Sequence, residues 1–367
     1  MQITVLCKVV DNFGDIGVVY RLSKQLKKIN PQNQINLVTD NLSSFQKICS
    51  SVKCDVPVQD VEGLRVFDWN AAEFCHEAFS RDDGALMPVI LECFQCGRPD
   101  WMERILFEEK LNHTVHIIMI DYLTAEKYAE DFHCLQSLTR SAKVQKVNFM
   151  PGFTEKTGGL IIDDAWREVP VRKADGPVLV FTYEKDLREL VEALINGGFD
   201  WLNHHRVLVA QGRGKESFMS AVKACGAESF VDELPYLNQN EWDDMMKSCS
   251  ALVIRGEESM SRACLSGLPF IWHAYPQSDE YQLVKVKALL ERMRPHFDKN
   301  DFEIVEHAWL EINSPSKLSA QRNNPYLDFF SNLDRLAPGF YDFAASLRKN
   351  GDLAANLMTF IEKLGII

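Results

Sequence analysis

Nothing in this sequence of 367 residues approaches the run of about 20 apolar residues that a membrane span needs; its longest apolar stretches, such as Val115–Ile120, are strand-length. Met1–Val10 could pass for a signal peptide, but Lys8 interrupts it and no small-residue cleavage site follows. It is read as a first strand and the protein as cytoplasmic. Basic charge is also scarce. Forty Lys and Arg face 52 Asp and Glu, for a net charge of −12, and without a basic stripe neither nucleic acid nor a membrane is expected as a partner. An acidic surface suits a cationic acceptor, or simply solubility.

Metal-ligand sets are missing too. The ten cysteines are scattered, and Cys7, Cys225, Cys249 and Cys264 lie in apolar runs, where a reduced thiol behaves as a small hydrophobe. Cys93 and Cys96 have C-x-x-C spacing, but no second Cys pair or suitably spaced His pair completes a site. His113 and His116 are three apart, and His116 reads as strand packing. No metal and no cofactor are expected. Neither a Walker sequence nor G-x-G-x-x-G is present, and no repeat or low-complexity tract is visible.

What is present is ordinary globular composition, 46% hydrophobic and 25% charged, in a chain longer than one core usually serves. Ile3–Val10 is nearly continuously apolar and β-branched, as in a strand covered on both faces. A helix follows with Val18, Val19, Leu22, Leu26 and Ile29 at helical spacing. Ile35–Thr39, Pro88–Phe94 and Val115–Asp121 read as further strands. Turn chemistry at Pro151–Gly159, then the charged stretch Asp163–Asp175, marks a junction. Alternation restarts with strands at Val178–Thr182, Arg206–Ala210, Ala251–Ile254 and Pro269–Trp272. Helices fall at Asp186–Ile195, Phe218–Cys225, Ser259–Leu265 and Tyr281–Met293. The expectation is two doubly wound α/β domains, 1–160 and 161–350. The final segment Gly351–Leu364 is helical and could pack back on either domain, so 351–367 is attached to the first as an option.

Tandem domains of this kind imply a cleft, and their ligands bind beyond the carboxyl ends of strands. Three such ends carry unusual residues. The first is Asp11-Asn12-Phe13-Gly14-Asp15-Ile16-Gly17. Its glycines allow a tight turn and close backbone approach, and a helix N-terminus follows. Two carboxylates would repel a phosphate, so the loop suits a base or a cationic acceptor. Capping, with Asp11 in the turn and Asp15 as N-cap, is the plain structural alternative. The second end is Phe181-Thr182-Tyr183-Glu184, where aromatics can stack on a base or sugar; Phe181 could equally be core. The third is Arg255-Gly256-Glu257-Glu258-Ser259. Ser259 and the N–H groups after it could hold a pyrophosphate, and Glu257 or Glu258 sugar hydroxyls. A Ser N-cap beside a solvated acidic pair would explain the same residues. The extended loop Leu234–Gln239 is expected to border the same cleft.

Taken together these stretches resemble the protein-arginine rhamnosyltransferases that modify translation elongation factor P, the EarP family. The likeness runs through D-N-F-G-D-I-G, P-G-F-T-x-x-T-G-G at Pro151–Gly159, L-P-Y with Gln239, R-G-E-x-S at Arg255–Ser259 and P-F-I-W-H-x-Y-P-Q at Pro269–Gln277. It implies a GT-B fold and an inverting transfer of L-rhamnose from dTDP-β-L-rhamnose to an arginine of a folded elongation factor P domain. By that likeness Asp15 matches the base, Asp11 its supporting carboxylate and Glu257 a further catalytic candidate. Phe181, Tyr183, Gln239, Glu258, Ser259 and Tyr275 match donor contacts, and Asn12, Phe13, Gly14 and Gly17 line the first loop. The family often has Asp where this chain has Glu258. A nucleotide-sugar epimerase, a small-molecule glycosyltransferase of the same fold, and a non-catalytic nucleotide-sugar-binding protein are the alternatives.

Overall fold

The computed structural model describes residues 1–10, 13–80, 87–197, 206–315 and 324–365. The chain divides into two compact units, Met1–Asp163 with Lys349–Ile367, and Asp164–Arg348.

The first unit is built on one eight-stranded sheet. Its strands are β1 (Gln2–Cys7), β2 (Gln34–Thr39), β3 (Val58–Val61), β4 (Leu64–Asp68), β5 (Val89–Cys93), β6 (Val115–Ile120), β7 (Gln136–Ser137) and β8 (Val144–Phe149), in the order β3-β4-β2-β1-β5-β6-β8-β7. Pairing is parallel through the centre and antiparallel at the edges, β3 on β4 and β7 on β8. The two antiparallel edges were not foreseen from the sequence. Side chains of β1 alternate between two cores, as a period of two requires. Ile3, Val5 and Cys7 pack with Ile16, Val19 and Leu22 of the helix Gly14–Ile29, whereas Leu6 packs with Trp101, Met102 and Ile105 of the helix Asp100–Phe107.

The terminal helix Leu353–Lys363 joins the first of these cores through Leu353, Leu357 and Ile361. Asp352 caps it, accepting the Ala355 N–H at 3.1 Å and the Ile162 N–H at 2.8 Å. Burial raises the Asp352 carboxyl above the ordinary carboxylate range. The turn-rich stretch Pro151–Gly159 seats this helix. Asn356 donates to the Gly158 carbonyl at 3.0 Å, and a Cβ on Gly158 would stand 2.6 Å from the Phe149 ring and 2.8 Å from Leu353. Its glycines therefore serve close packing.

The second unit holds five parallel strands, β9 (Val178–Val180), β10 (Val207–Val209), β11 (Val231–Glu233), β12 (Ala251–Arg255) and β13 (Phe270–His273), in the order β11-β10-β9-β12-β13. The edge strand β13 is closed by side chains of the helix Lys299–Asn313. Trp309 Nε1 donates to the Phe270 carbonyl at 2.7 Å, and Asn313 Nδ2 to the Trp272 carbonyl at 2.7 Å. Asn313 Oδ1 accepts the Ala274 N–H at 2.8 Å. An edge strand buried in this way needs such partners for its outward backbone groups. Among the described residues no helix is long and apolar enough to cross a membrane.

Candidate active site

Among the parallel strands of each sheet the strand order reverses direction at one point, between β1 and β5 in the first and between β9 and β12 in the second. Crevices outside the carboxyl ends of such strands are where doubly wound sheets bind ligands. Three of these four ends carry the candidate residues.

After β1, the helix starts at Gly14 with Phe13 in the preceding position, so Asp15 is a first-turn residue and not an N-cap. Gly14 and Gly17 are helical, which corrects the turn expected of them. The Phe13 carbonyl takes the Gly17 N–H at 2.9 Å, and the Phe13 ring lies 5.4 Å from Lys47 Nζ. Asp11 and Asn12 lie outside the described residues. The Asp15 carboxylate is only 3% exposed and has partners on both oxygens. The Val10 N–H donates to Oδ2 at 2.8 Å, and the Tyr122 hydroxyl to Oδ1 at 3.2 Å. Tyr122 follows β6 and stacks on Phe94, which follows β5, with centroids 4.5 Å apart and planes 17° from parallel. Phe94 and Gln95 have φ of +58° and +52°, left-handed conformations costing side-chain-bearing residues on the order of 1–3 kcal/mol each. Such outliers gather where a site needs a side chain aimed against backbone preference.

In the second unit the ends of β9, β12 and β13 converge. The Arg255 guanidinium lies between two rings, 4.4 Å from the Phe181 centroid and 4.6 Å from that of Tyr183. Tyr183 meets Tyr275 edge-on at 5.3 Å and His273 at 5.5 Å, and Phe181 meets Trp242 at 5.2 Å. Phe181 thus belongs to the strand-end cluster. Tyr275 is 46% exposed at its rim. Gln239 opens the helix Gln239–Ser248, which Asn238 caps and which carries Trp242. The loop after β10 presses on the same strand end, for a Cβ on Gly214 would run into the Thr182 carbonyl oxygen.

The helix Glu257–Ser266 is preceded by Gly256 at φ +73°, ψ 162°, a region essentially reserved for glycine. Its hydrogen-bond ladder begins with the Met260 N–H on the Gly256 carbonyl at 3.2 Å. The donors that a helix start presents therefore precede Met260, at Glu257, Glu258 and Ser259, and do not follow Ser259 as expected. Ser259 is buried in the first turn and is not the cap. Glu257 pairs with Lys285 at 3.6 Å. Glu258 reaches Nε of the buried Arg262, one turn on, at 3.6 Å, which gives its length relative to Asp a local use.

Behind this cluster His273 is buried and accepts the Tyr183 N–H on Nδ1 at 3.3 Å. Burial, with the charges of Lys185 and Arg255, pushes it from an ordinary 6.5 down to about 3. Between those values the unfolded chain binds a proton that the native ring refuses, so stability is complete above the unfolded value and is lost as pH falls through the window. The urea midpoint is expected to fall from about pH 7 to about pH 5 by this linkage, and His273→Gln should flatten part of the slope. An unchanged slope in that variant would contradict the assignment.

Sequence reasoning missed Tyr122, Phe94, Arg255 as a sandwiched cation, and His273. Arg255 and His273 lay within quoted motifs, but their ring partners belong to distant strands. Burial pushes the Cys96 thiol up to about 12 and raises Cys93 as well, so the C-x-x-C pair is held protonated. Among the described residues no three His, Cys, Asp or Glu side chains are grouped to hold a metal ion.

A family model of the elongation factor P (EF-P) rhamnosyltransferase EarP matches residues 3–362. The chain is 30% identical over 350 residues to a protein-arginine rhamnosyltransferase of Shewanella oneidensis, with 84% of each covered. Its backbone is similar to a chain solved for the structural basis of EarP-mediated arginine glycosylation of translation elongation factor EF-P, at a TM-score of 0.60, 18% identity and 99% of both chains. A UGT transferase from Siraitia grosvenorii, solved in complex with UDP, matches at a TM-score of 0.52 and 9% identity over 99% of both. At such identities the likeness speaks to fold alone, and that fold is GT-B.

Proposed function

The chain belongs to the EarP family of protein-arginine rhamnosyltransferases, and from that premise we propose that it moves L-rhamnose from dTDP-β-L-rhamnose to an arginine of translation elongation factor P with inversion. The observation that carries the reading is the family match along nearly the whole chain, which includes every strand end described above. Family membership favours a glycosyltransferase over an epimerase or a passive binding protein.

A guanidinium is planar and delocalised, with a pKa above about 12, so its nitrogens are poor nucleophiles and prior deprotonation is costly near neutral pH. Asp15 is proposed to hydrogen-bond one guanidinium nitrogen and localise its lone pair. That nitrogen attacks the anomeric carbon, the bond from carbon to phosphate oxygen breaks, and its electron pair leaves with dTDP. The nitrogen's proton passes to Asp15, and the product keeps its positive charge. Asp11 is proposed to support Asp15, and Glu257 to stabilise charge developing on the sugar. Growing negative charge on the leaving group is assigned to the start of the helix Glu257–Ser266 and to Tyr183. Phe181, Tyr183, Gln239, Glu258, Ser259 and Tyr275 are assigned to the donor. No step in this scheme calls for a metal or cofactor.

The test is incubation of purified protein with elongation factor P and dTDP-rhamnose, followed by mass spectrometry. One deoxyhexose gained on an arginine-containing peptide is expected, with an α-anomeric linkage by NMR. An unmodified acceptor would reject the proposal, and a β-linkage would reject inversion.

A further inference from the structure

We propose that Tyr122 is a positioning residue for Asp15, fixing the plane of its carboxylate so that one oxygen stays directed at the attacking nitrogen. The inference rests on the reading of Asp15 as the base. A carboxylate turns readily about its last side-chain bond. Taken by itself, the bond from the Val10 N–H to Oδ2, at 2.8 Å, ties one oxygen and would leave the plane free to swing. The bond from Tyr122 to Oδ1, at 3.2 Å from 107 residues along the chain, supplies the second point that fixes it.

Tyr122 is itself held from two sides. Its ring lies on Phe94, and its N–H donates to Asp121 Oδ1 at 2.8 Å. The other Asp121 oxygen takes Gln95 Nε2 at 3.0 Å, and the Phe94 N–H donates to the Ile120 carbonyl at 2.7 Å. The ends of β5 and β6 are thereby laced together beneath the phenol. Core packing does not explain the arrangement, since Tyr122 is 36% exposed and its platform is held in left-handed backbone. A neutral donor also suits the chemistry. A Lys or Arg there would set a fixed cation against the incoming guanidinium, whereas a phenol orients the carboxylate without adding a charge of its own.

The experiment compares Tyr122→Phe, Asp15→Asn and the double variant by steady-state kinetics with elongation factor P and dTDP-rhamnose. Tyr122→Phe keeps the ring on Phe94, and an unchanged melting temperature serves as the folding control. The expected result is a kcat lowered about 10- to 100-fold, the range for one hydrogen bond to a charged group. KM for both substrates should stay within about two-fold, since the phenol is assigned to orientation and not to uniform binding. On the Asp15→Asn background the second change should add almost nothing, because there is no carboxylate left to position. Wild-type kcat in Tyr122→Phe with an inactive Asp15→Asn would overturn this inference and leave Asp15 as the base. A raised acceptor KM at unchanged kcat would overturn it in favour of acceptor contact. An active Asp15→Asn would remove both readings together.

Discussion

Asp15→Asn is expected to lower kcat for rhamnosyl transfer by about 10²- to 10⁴-fold, the span of a lost general base, while dTDP-rhamnose binds with near wild-type affinity. The substitution is isosteric. An Asn oxygen can still accept the Val10 N–H that Oδ2 accepts at 2.8 Å, so the start of the helix Gly14–Ile29 need not move. What disappears is the charge that attracts a guanidinium and the basicity that removes its proton. Donor affinity should survive because the assigned donor contacts, Phe181, Tyr183 and Tyr275 among them, lie in the other unit. Titration calorimetry with dTDP-rhamnose separates the two effects. A variant that binds donor and does not turn over supports the base, and near-normal transfer would reject it. Asp15→Glu sharpens the result, since it keeps the charge but its added methylene moves the carboxylate off the Val10 N–H. Its kcat should fall between wild type and Asn.

The strand ends carrying Asp15, Phe181 and Ser259 were legible because the signals are local: a β-branched run, then Gly, Asp or an aromatic, then helical spacing. Both sheets could be placed from those runs. The edge strands β3 and β7 could not. Val58–Val61 alternates too briefly to register, and Gln136–Ser137 is two exposed polar residues whose strand character comes from β8 alone. The helix Leu333–Leu347 contains Pro338 and Gly339, which local rules treat as breakers, and Gly339 is accommodated by the Phe297 ring lying where a Cβ would be. Ser259 looked like a cap because Ser is favoured there, but Gly256 takes a backbone turn that no other residue adopts cheaply. The site's supporting partners were illegible for a different reason. Tyr122 is 107 residues from Asp15, and His273 is 90 from Tyr183. Such pairs are created by strand order, which periodicity does not encode. The donor and acceptor proposed above rest on the family resemblance, because fold and carboxylate placement fit many nucleotide-sugar reactions.

Strand order also predicts where a change outside the candidate site should hurt most. Asn313→Leu is expected to destabilise the protein by about 2–5 kcal/mol, two or more buried backbone groups losing partners at about 1–3 kcal/mol each. The Asn313 amide serves three backbone groups at once: the Trp272 and Trp309 carbonyls, each at 2.7 Å, and the Ala274 N–H at 2.8 Å. Leu has the same branched shape, though it is bulkier, and offers none of these bonds, and Trp272 and Ala274 are too deeply buried for water to replace them. The helix end around Asn313 is fixed independently, by Lys185 Nζ on the carbonyls of Glu311, Ile312 and Ser314 at 2.7–2.9 Å, so it should not simply swing away. The strain should fall instead on the segment after β13, which carries Tyr275 against Tyr183. Chemical denaturation should therefore show a lower midpoint, and the folded variant a raised KM for dTDP-rhamnose at nearly unchanged kcat. Ile312→Val, a neighbouring buried change that leaves every one of these bonds, should cost about 0.5–1.5 kcal/mol and leave KM alone. Equal losses in the two variants would mean that the Asn313 amide contributes only packing. A destabilised Asn313→Leu with wild-type KM would mean that the position of Tyr275 does not depend on the edge of β13.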